Sequence, residues 1–218
     1  MYGPSLDWAG KVVEGLTSQT LEEYFRKHIW DPVGVTDTTF WPLRSENLKD
    51  RMVDRNPSDP QGMGLAVLGP AAAEPGSLKD CLGGQGSYST APDFIRILHS
   101  LLANDGKLLK KETVETLMFK PQLAPEPSSF LKNLLKTDQG HMLIGHNLPK
   151  EVEKSFGFGG LLVEEDIEGW HGAGTLLWGG GANSNWVRYT SPLDIELLLT
   201  TDSSSIPRMG CVDSQLPN

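Results

Sequence analysis

From Phe156 to Thr200 the chain is a series of short apolar and aromatic runs separated by Gly, Asn, Ser and Pro. The last run places Leu193, Ile195, Leu197 and Leu199 on one side, with Asp194 and Glu196 opposite. Successive strand side chains point to opposite faces, so a period of two marks a half-buried strand. Short strands joined by turn residues pair with their sequence neighbours. The end of the chain is therefore predicted to be an antiparallel meander of at least three strands over residues 156–200. Gly179, Gly180 and Gly181 are placed where one of those strands begins. Glycine in a strand marks a bulge or the close approach of a ligand to the backbone, and free N–H groups on a strand edge can hold an acyl oxygen.

Upstream, the signals are helical. Leu6, Ala9, Val12, Val13 and Leu16 recur at helical spacing over residues 6–16. Thr20-Leu-Glu-Glu23 is a capping box that opens a helix bearing Leu21, Tyr24, Phe25 and His28. Asp31-Pro32 is expected to stop it, since a residue before proline avoids the α region. Residues 33–40 read as a turn and a short extended piece, 45–54 as a short helix and 56–77 as a Pro-, Gly- and Ala-rich loop. Ser89 or Thr90 caps a helix with Pro92 in its first turn and Phe94, Ile95, Ile97, Leu98, Leu101 and Leu102 on its core face. Asn104-Asp105-Gly106 ends that helix in a left-handed cap. Residues 110–119 are helical again, and 121–154 carry little pattern.

The formal charge of −9 argues against nucleic acid and anionic membrane surfaces. No apolar run approaches the length of a membrane span, and the N-terminus lacks the regions of a signal peptide. Cys81 and Cys211 form neither a metal motif nor a disulfide framework. A reducing, cytoplasmic setting is the expectation. His28, His99, His141 and His146 show no metal-ligand spacing, so no metal site is expected. His171, before a Gly-Ala-Gly turn, reads as a hydrogen-bonded turn residue, and Glu164-Glu165-Asp166 as a solvated hairpin tip.

Several of these segments together resemble the serine β-lactamase-like family. Tyr2-Gly-Pro-Ser-Leu-Asp-Trp-Ala-Gly-Lys-Val-Val-Glu carries the resemblance, with Ile29-Trp-Asp-Pro-Val-Gly-Val-Thr-Asp-Thr-Thr-Phe, residues 83–109, and Trp178-Gly-Gly before the final strands. The branch it is most similar to is that of esterases and transesterases, including fungal acyltransferases of the lovastatin type. The resemblance runs from Tyr2 to about Asp202 and is carried by the order of the motifs. It implies an α/β (α+β) fold of the β-lactamase and transpeptidase kind, an antiparallel sheet flanked by helices, incomplete at the N-terminus. The division that goes with it is a helical portion over 1–155, a meander over 156–200 and a polar tail over 203–218.

The family's chemistry uses a serine and a lysine three apart on one helix, a tyrosine that aids proton transfer, and a strand bearing Lys-Thr-Gly or Trp-Gly-Gly. The resemblance assigns the catalytic tyrosine to Tyr2, and the strand lining substrate to Trp178, Gly179 and Gly180. The backbone N–H of Gly181 becomes one oxyanion donor. Small-molecule acyl donors and acceptors are implied, and no cofactor. Two departures stand out. The family's nucleophile element precedes the tyrosine, and here the one Ser-x-x-Lys, Ser129-Phe-Leu-Lys132, follows it and reads as a chance match. Pro4 stands where the family has an asparagine. The isolated chain is therefore expected to be inactive. The alternative is a non-catalytic remnant or partner-binding module of the same fold.

Overall fold

The computed structural model describes residues 3–52, 79–84, 86–144, 148–168 and 172–179, together with the strand backbones 184–188 and 195–199. Helix α1 spans Ser5–Thr17 and ends at Ser18 in the left-handed region. Helix α2 spans Leu21–Phe25 and opens on the expected capping box. Thr20 accepts from the Glu23 N–H at 3.2 Å, and Glu23 accepts from the Thr20 N–H at 2.8 Å. The chain does not stop at Asp31-Pro32. It continues through a π turn, Arg26–Trp30, and a 3-10 turn, Asp31–Val33. Proline is accepted there because the first turn of a helical segment needs no N–H from it. Gly34, at φ 72°, makes the actual exit.

The helix expected over 45–54 is reduced, in the described part, to one 3-10 turn, Lys49–Arg51; another, Pro42–Arg44, precedes it. Thr90 caps α3, Ala91–Ala103, by accepting from the Asp93 N–H at 3.3 Å. That helix ends at Asn104, φ 47°, followed by Gly106, φ 78°, as the left-handed signal required. Helix α4, Lys111–Thr113, runs on as a π turn, Val114–Met118. The weakly patterned stretch is itself helical: α5 spans Pro125–Lys136 and α6 spans Asp138–Ile144.

The meander is present as one antiparallel sheet in the order β1-β2-β3-β4-β5. Its strands are β1 Lys154–Gly157, β2 Gly160–Val163, β3 Leu176–Gly179, β4 Ser184–Arg188 and β5 Ile195–Leu199. Phe156 pairs with Leu161, Leu161 with Leu177, Leu177 with Val187, and Val187 with Glu196. Gly159, φ 109°, turns the β1–β2 hairpin. Beyond β1, the Gln122 N–H donates to the Phe156 carbonyl and the Phe158 N–H to that of Leu117.

Alternate strand residues feed two cores. Leu161, Val163 and Leu177 pack with Leu131 and Leu135 of α5. Leu162 and Leu176 pack with Val114 and Met118 of the π turn after α4, and with Leu101 of α3. The sheet is thus covered by helices on both faces. A third cluster, Leu21, Trp30, Val35, Phe40 and Cys81, holds the first helices together.

The acidic triplet after β2 does more than face water. Glu165 accepts from the Glu153 N–H at 2.7 Å, and Asp166 from the Ala173 N–H at 2.8 Å.

Candidate active site

The motif Trp178-Gly179 closes β3. The glycine run was expected at the start of a strand. The structure instead makes Gly179 the last residue of one, paired with Asn185, because the run Leu176-Leu-Trp extends the ladder into it. Trp178 pairs with Trp186 and is half-buried. Its ring meets Phe156 of β1 at a 5.4 Å centroid separation and 62° between planes, the edge-to-face geometry aromatic pairs favour. It also packs against the cluster under α5. Trp178 therefore contributes to the sheet's packing whatever else it does. Gly180 and Gly181 lie outside the described residues, as do Tyr2 and His171.

The segment that follows Tyr2 is described, and it is firmly held. The Trp8 N–H donates to the Pro4 carbonyl at 3.0 Å. Asp7 accepts from the Gly84 N–H at 2.8 Å. A Cβ at Gly83 would come within 2.5 Å of the Leu6 carbonyl, so only glycine lets the 83–84 backbone lie this close to α1. Lys11 pairs with Glu14 at 2.8 Å and with Asp80 at 3.4 Å, and Glu14 accepts from the Leu21 N–H at 2.9 Å. Loop 79–84 and the start of α2 thus fix the helix that leads out of the tyrosine segment.

Ser129 and Lys132 stand on α5, and their surroundings do not suit a nucleophile and its base. Ser129 is exposed. Lys132 forms an ion pair with Glu153, and the hydrogen bond to that carboxylate raises the ammonium above its ordinary pKa. A lysine acting as base needs the opposite shift. Lys154 does shift downward, because it is buried. Its Nζ is spent on the carbonyls of Pro149 at 2.6 Å and Val152 at 2.9 Å. Burial pushes the Cys81 thiol up, which leaves it inert. Among the described residues, no group of His, Cys, Asp or Glu could hold a metal ion, and no helix is long and apolar enough to cross a membrane.

Two carboxylates for which the sequence suggested no role hold the loop 36–40. Glu22 accepts from the Phe40 N–H at 2.6 Å and the Thr39 hydroxyl at 2.9 Å. Asp93 accepts from the Thr36 and Asp37 N–H groups, the Thr38 hydroxyl and Arg96. A signal for Asp93 existed in Thr90-Ala-Pro-Asp93, which has capping-box spacing. The Asp93 side chain reaches a distant loop instead of its own helix start.

The known proteins that this chain is similar to include an esterase and an acyltransferase. Lovastatin esterase of Penicillium rubens is 45% identical over 186 residues, covering 85% of this chain and 46% of the relative. Monacolin J acid methylbutanoyltransferase of Aspergillus terreus is 36% identical over 191 residues, covering 85% and 45%. A mutant of simvastatin synthase from Aspergillus terreus superimposes with a TM-score of 0.77 at 35% identity, covering 87% of this chain and 47% of that one. The chain thus spans about half the length of the curated relatives it matches. The family model described as Beta-lactamase matches residues 4–205, and the chain belongs to the β-lactamase family.

Proposed function

We propose that this chain is part of a serine acyl-transferring enzyme, an esterase or acyltransferase that works through an acyl-serine intermediate. The observation that carries this reading is similarity across 85% of the chain to an esterase and to an acyltransferase of one family. In the proposed reaction a serine hydroxyl attacks the carbonyl of a small-molecule ester or thioester. The alcohol or thiol leaves with a proton, and water or a second alcohol then takes the acyl group.

Tyr2 is assigned to proton transfer. A tyrosine has an unperturbed pKa of about 10, so it serves as a base near neutrality only with cations beside it. The lysine of a Ser-x-x-Lys element is the cation that the family resemblance implies. Ser129 and Lys132 are not that element, given the exposure of the one and the ion pair of the other. The nucleophile is assigned to the part of the family domain outside this chain's match. Trp178, Gly179 and Gly180 line the acyl group, and the Gly181 N–H is one oxyanion donor. Whether the acceptor is water or an alcohol depends on how dry the closed site is.

The test is reconstitution. The chain is fused behind the segment that precedes the matched region in the Penicillium rubens esterase, and hydrolysis of an activated ester is followed. Turnover that Tyr2→Phe lowers by at least a hundredfold supports the reading. Turnover unaffected by Tyr2→Phe removes Tyr2 from the chemistry.

A further inference from the structure

The tip of the β1–β2 hairpin, Gly157-Phe158-Gly159-Gly160, holds one large apolar side chain out from a fixed backbone. The Phe158 N–H donates to the Leu117 carbonyl at 3.1 Å. A Cβ at Gly157 would run into the Met118 carbonyl, and Gly159 lies against Leu176 and Met118 at φ 109°. The two glycines thus let the tip press onto the π turn Val114–Met118, while Phe158 between them stays 53% exposed. Single exposed apolar side chains are common; the position of this one is informative. Strand β2 runs antiparallel to β3 with Leu161 opposite Leu177. The next step of that register sets Gly160 beside Trp178 and carries the tip to the Gly179 end of β3. Phe156, two residues before Phe158, already meets the Trp178 ring at 5.4 Å.

We propose that Phe158 is a specificity-determining residue, an apolar rim that takes the acyl chain of the ester where that chain runs past Trp178 and Gly179; this rests on the acyl-transfer reading. A carbonyl held at the end of β3 sends its acyl chain to one side of that strand, and on the β2 side stands the hairpin tip. A two-carbon acyl group ends short of the tip, and a six-carbon one reaches it. Burying one methylene favours binding about fourfold, so discrimination grows with chain length. It acts on binding and not on the chemical step. The clamped backbone of the tip keeps the cost of ordering the contact small.

The experiment uses the full chain fused behind the segment that precedes the matched region in the Penicillium rubens esterase. KM and kcat are measured with p-nitrophenyl acetate and p-nitrophenyl hexanoate. Phe158→Ala should raise KM for the hexanoate at least fivefold, with less than a twofold change for the acetate and in kcat. Phe158→Leu should fall between. Phe130→Ala, at an exposed apolar position on α5, should change neither ester. In parallel, 4-fluorophenylalanine at position 158 supplies a fluorine NMR signal, which methyl hexanoate should shift at concentrations where methyl acetate does not. Equal losses with both esters, an unchanged KM for the hexanoate, or a fluorine signal that responds to the fusion but not to methyl hexanoate would each overturn the proposal. Absence of turnover with any ester would count against the acyl-transfer reading. The fluorine titration then decides on Phe158 by itself: a shift specific to the hexanoate upholds the rim, and no shift overturns it.

Discussion

The Asp93 carboxylate accepts the backbone N–H of Asp37 at 2.6 Å, across 56 residues of sequence. The same oxygen takes the Thr36 N–H at 3.2 Å and the Thr38 hydroxyl at 3.2 Å, while Arg96 holds the other at 2.7 Å. The residue is 1% exposed. One buried side chain thus ties the start of α3 to the loop that leaves α2.

Asp93→Ala should be among the more damaging single changes. It removes the acceptor of the part-buried Thr36 and Asp37 N–H groups, while the Thr38 hydroxyl keeps Ser89 at 2.8 Å; a buried group left unsatisfied costs about 1–3 kcal/mol. Denaturant unfolding should show a loss of about 2–4 kcal/mol, with Asp93→Asn intermediate. A loss under about 0.5 kcal/mol would mean that the loop is held by other contacts.

Gly83→Ala should also destabilise, because its Cβ would meet the Leu6 carbonyl, a backbone atom that cannot turn aside. Overpacking of this kind costs about 1–3 kcal/mol. Thermal melts of Gly83→Ala and Gly15→Ala make the comparison. Gly15 has open space at its Cβ, and alanine there should be neutral or slightly stabilising, as helix propensity predicts.

Acid should weaken the fold through Glu23 and Asp105. Hydrogen bonds from the Thr20 N–H and hydroxyl hold Glu23 below its ordinary pKa, and those from the Lys107 N–H and Ser100 hydroxyl do the same for Asp105. A folded pKa below the unfolded one means that the unfolded chain binds protons first as pH falls. Their stabilisation is therefore present above the unfolded values, about 4.3 and 3.9, and is lost as pH drops through the folded ones. Tm should fall on acidification below about pH 4, and less steeply in Glu23→Gln and Asp105→Asn. Unchanged slopes in both variants would assign the acid sensitivity elsewhere.

The parts legible in the sequence were those with local chemistry. Thr20 and Glu23, Thr90 with Pro92, and Asn104 with Gly106 each specify a helix end through contacts within a few residues, and the structure places those ends accordingly. The alternation after Phe156 produced the meander. What escaped depends on distant partners. Helix α5 buries only Leu131 and Leu135, two residues four apart, too thin a stripe to announce a helix. The chain passed Pro32 because a π turn and a 3-10 turn absorbed it. On α1, Val13 packs against the Leu21 cluster while Leu6, Val12 and Leu16 are exposed; spacing alone does not say which side meets the protein.

Of the site residues, Trp178 and Gly179 are placed on β3, while Tyr2, Gly180 and Gly181 lie outside the described residues. Their roles rest on family resemblance and on the order of motifs.

Ser129 offers the sharpest test of the central claim, that the nucleophile of this family member is supplied from outside the chain's matched region. The measurement is intact-mass spectrometry after incubation with an activated ester, of the chain alone and of the chain with the esterase segment added. The account predicts no acyl adduct on the chain alone and an adduct on the added segment in the mixture, with Ser129→Ala changing neither. An acyl group on the unassisted chain that disappears in Ser129→Ala would contradict it and make Ser129 and Lys132 the working pair.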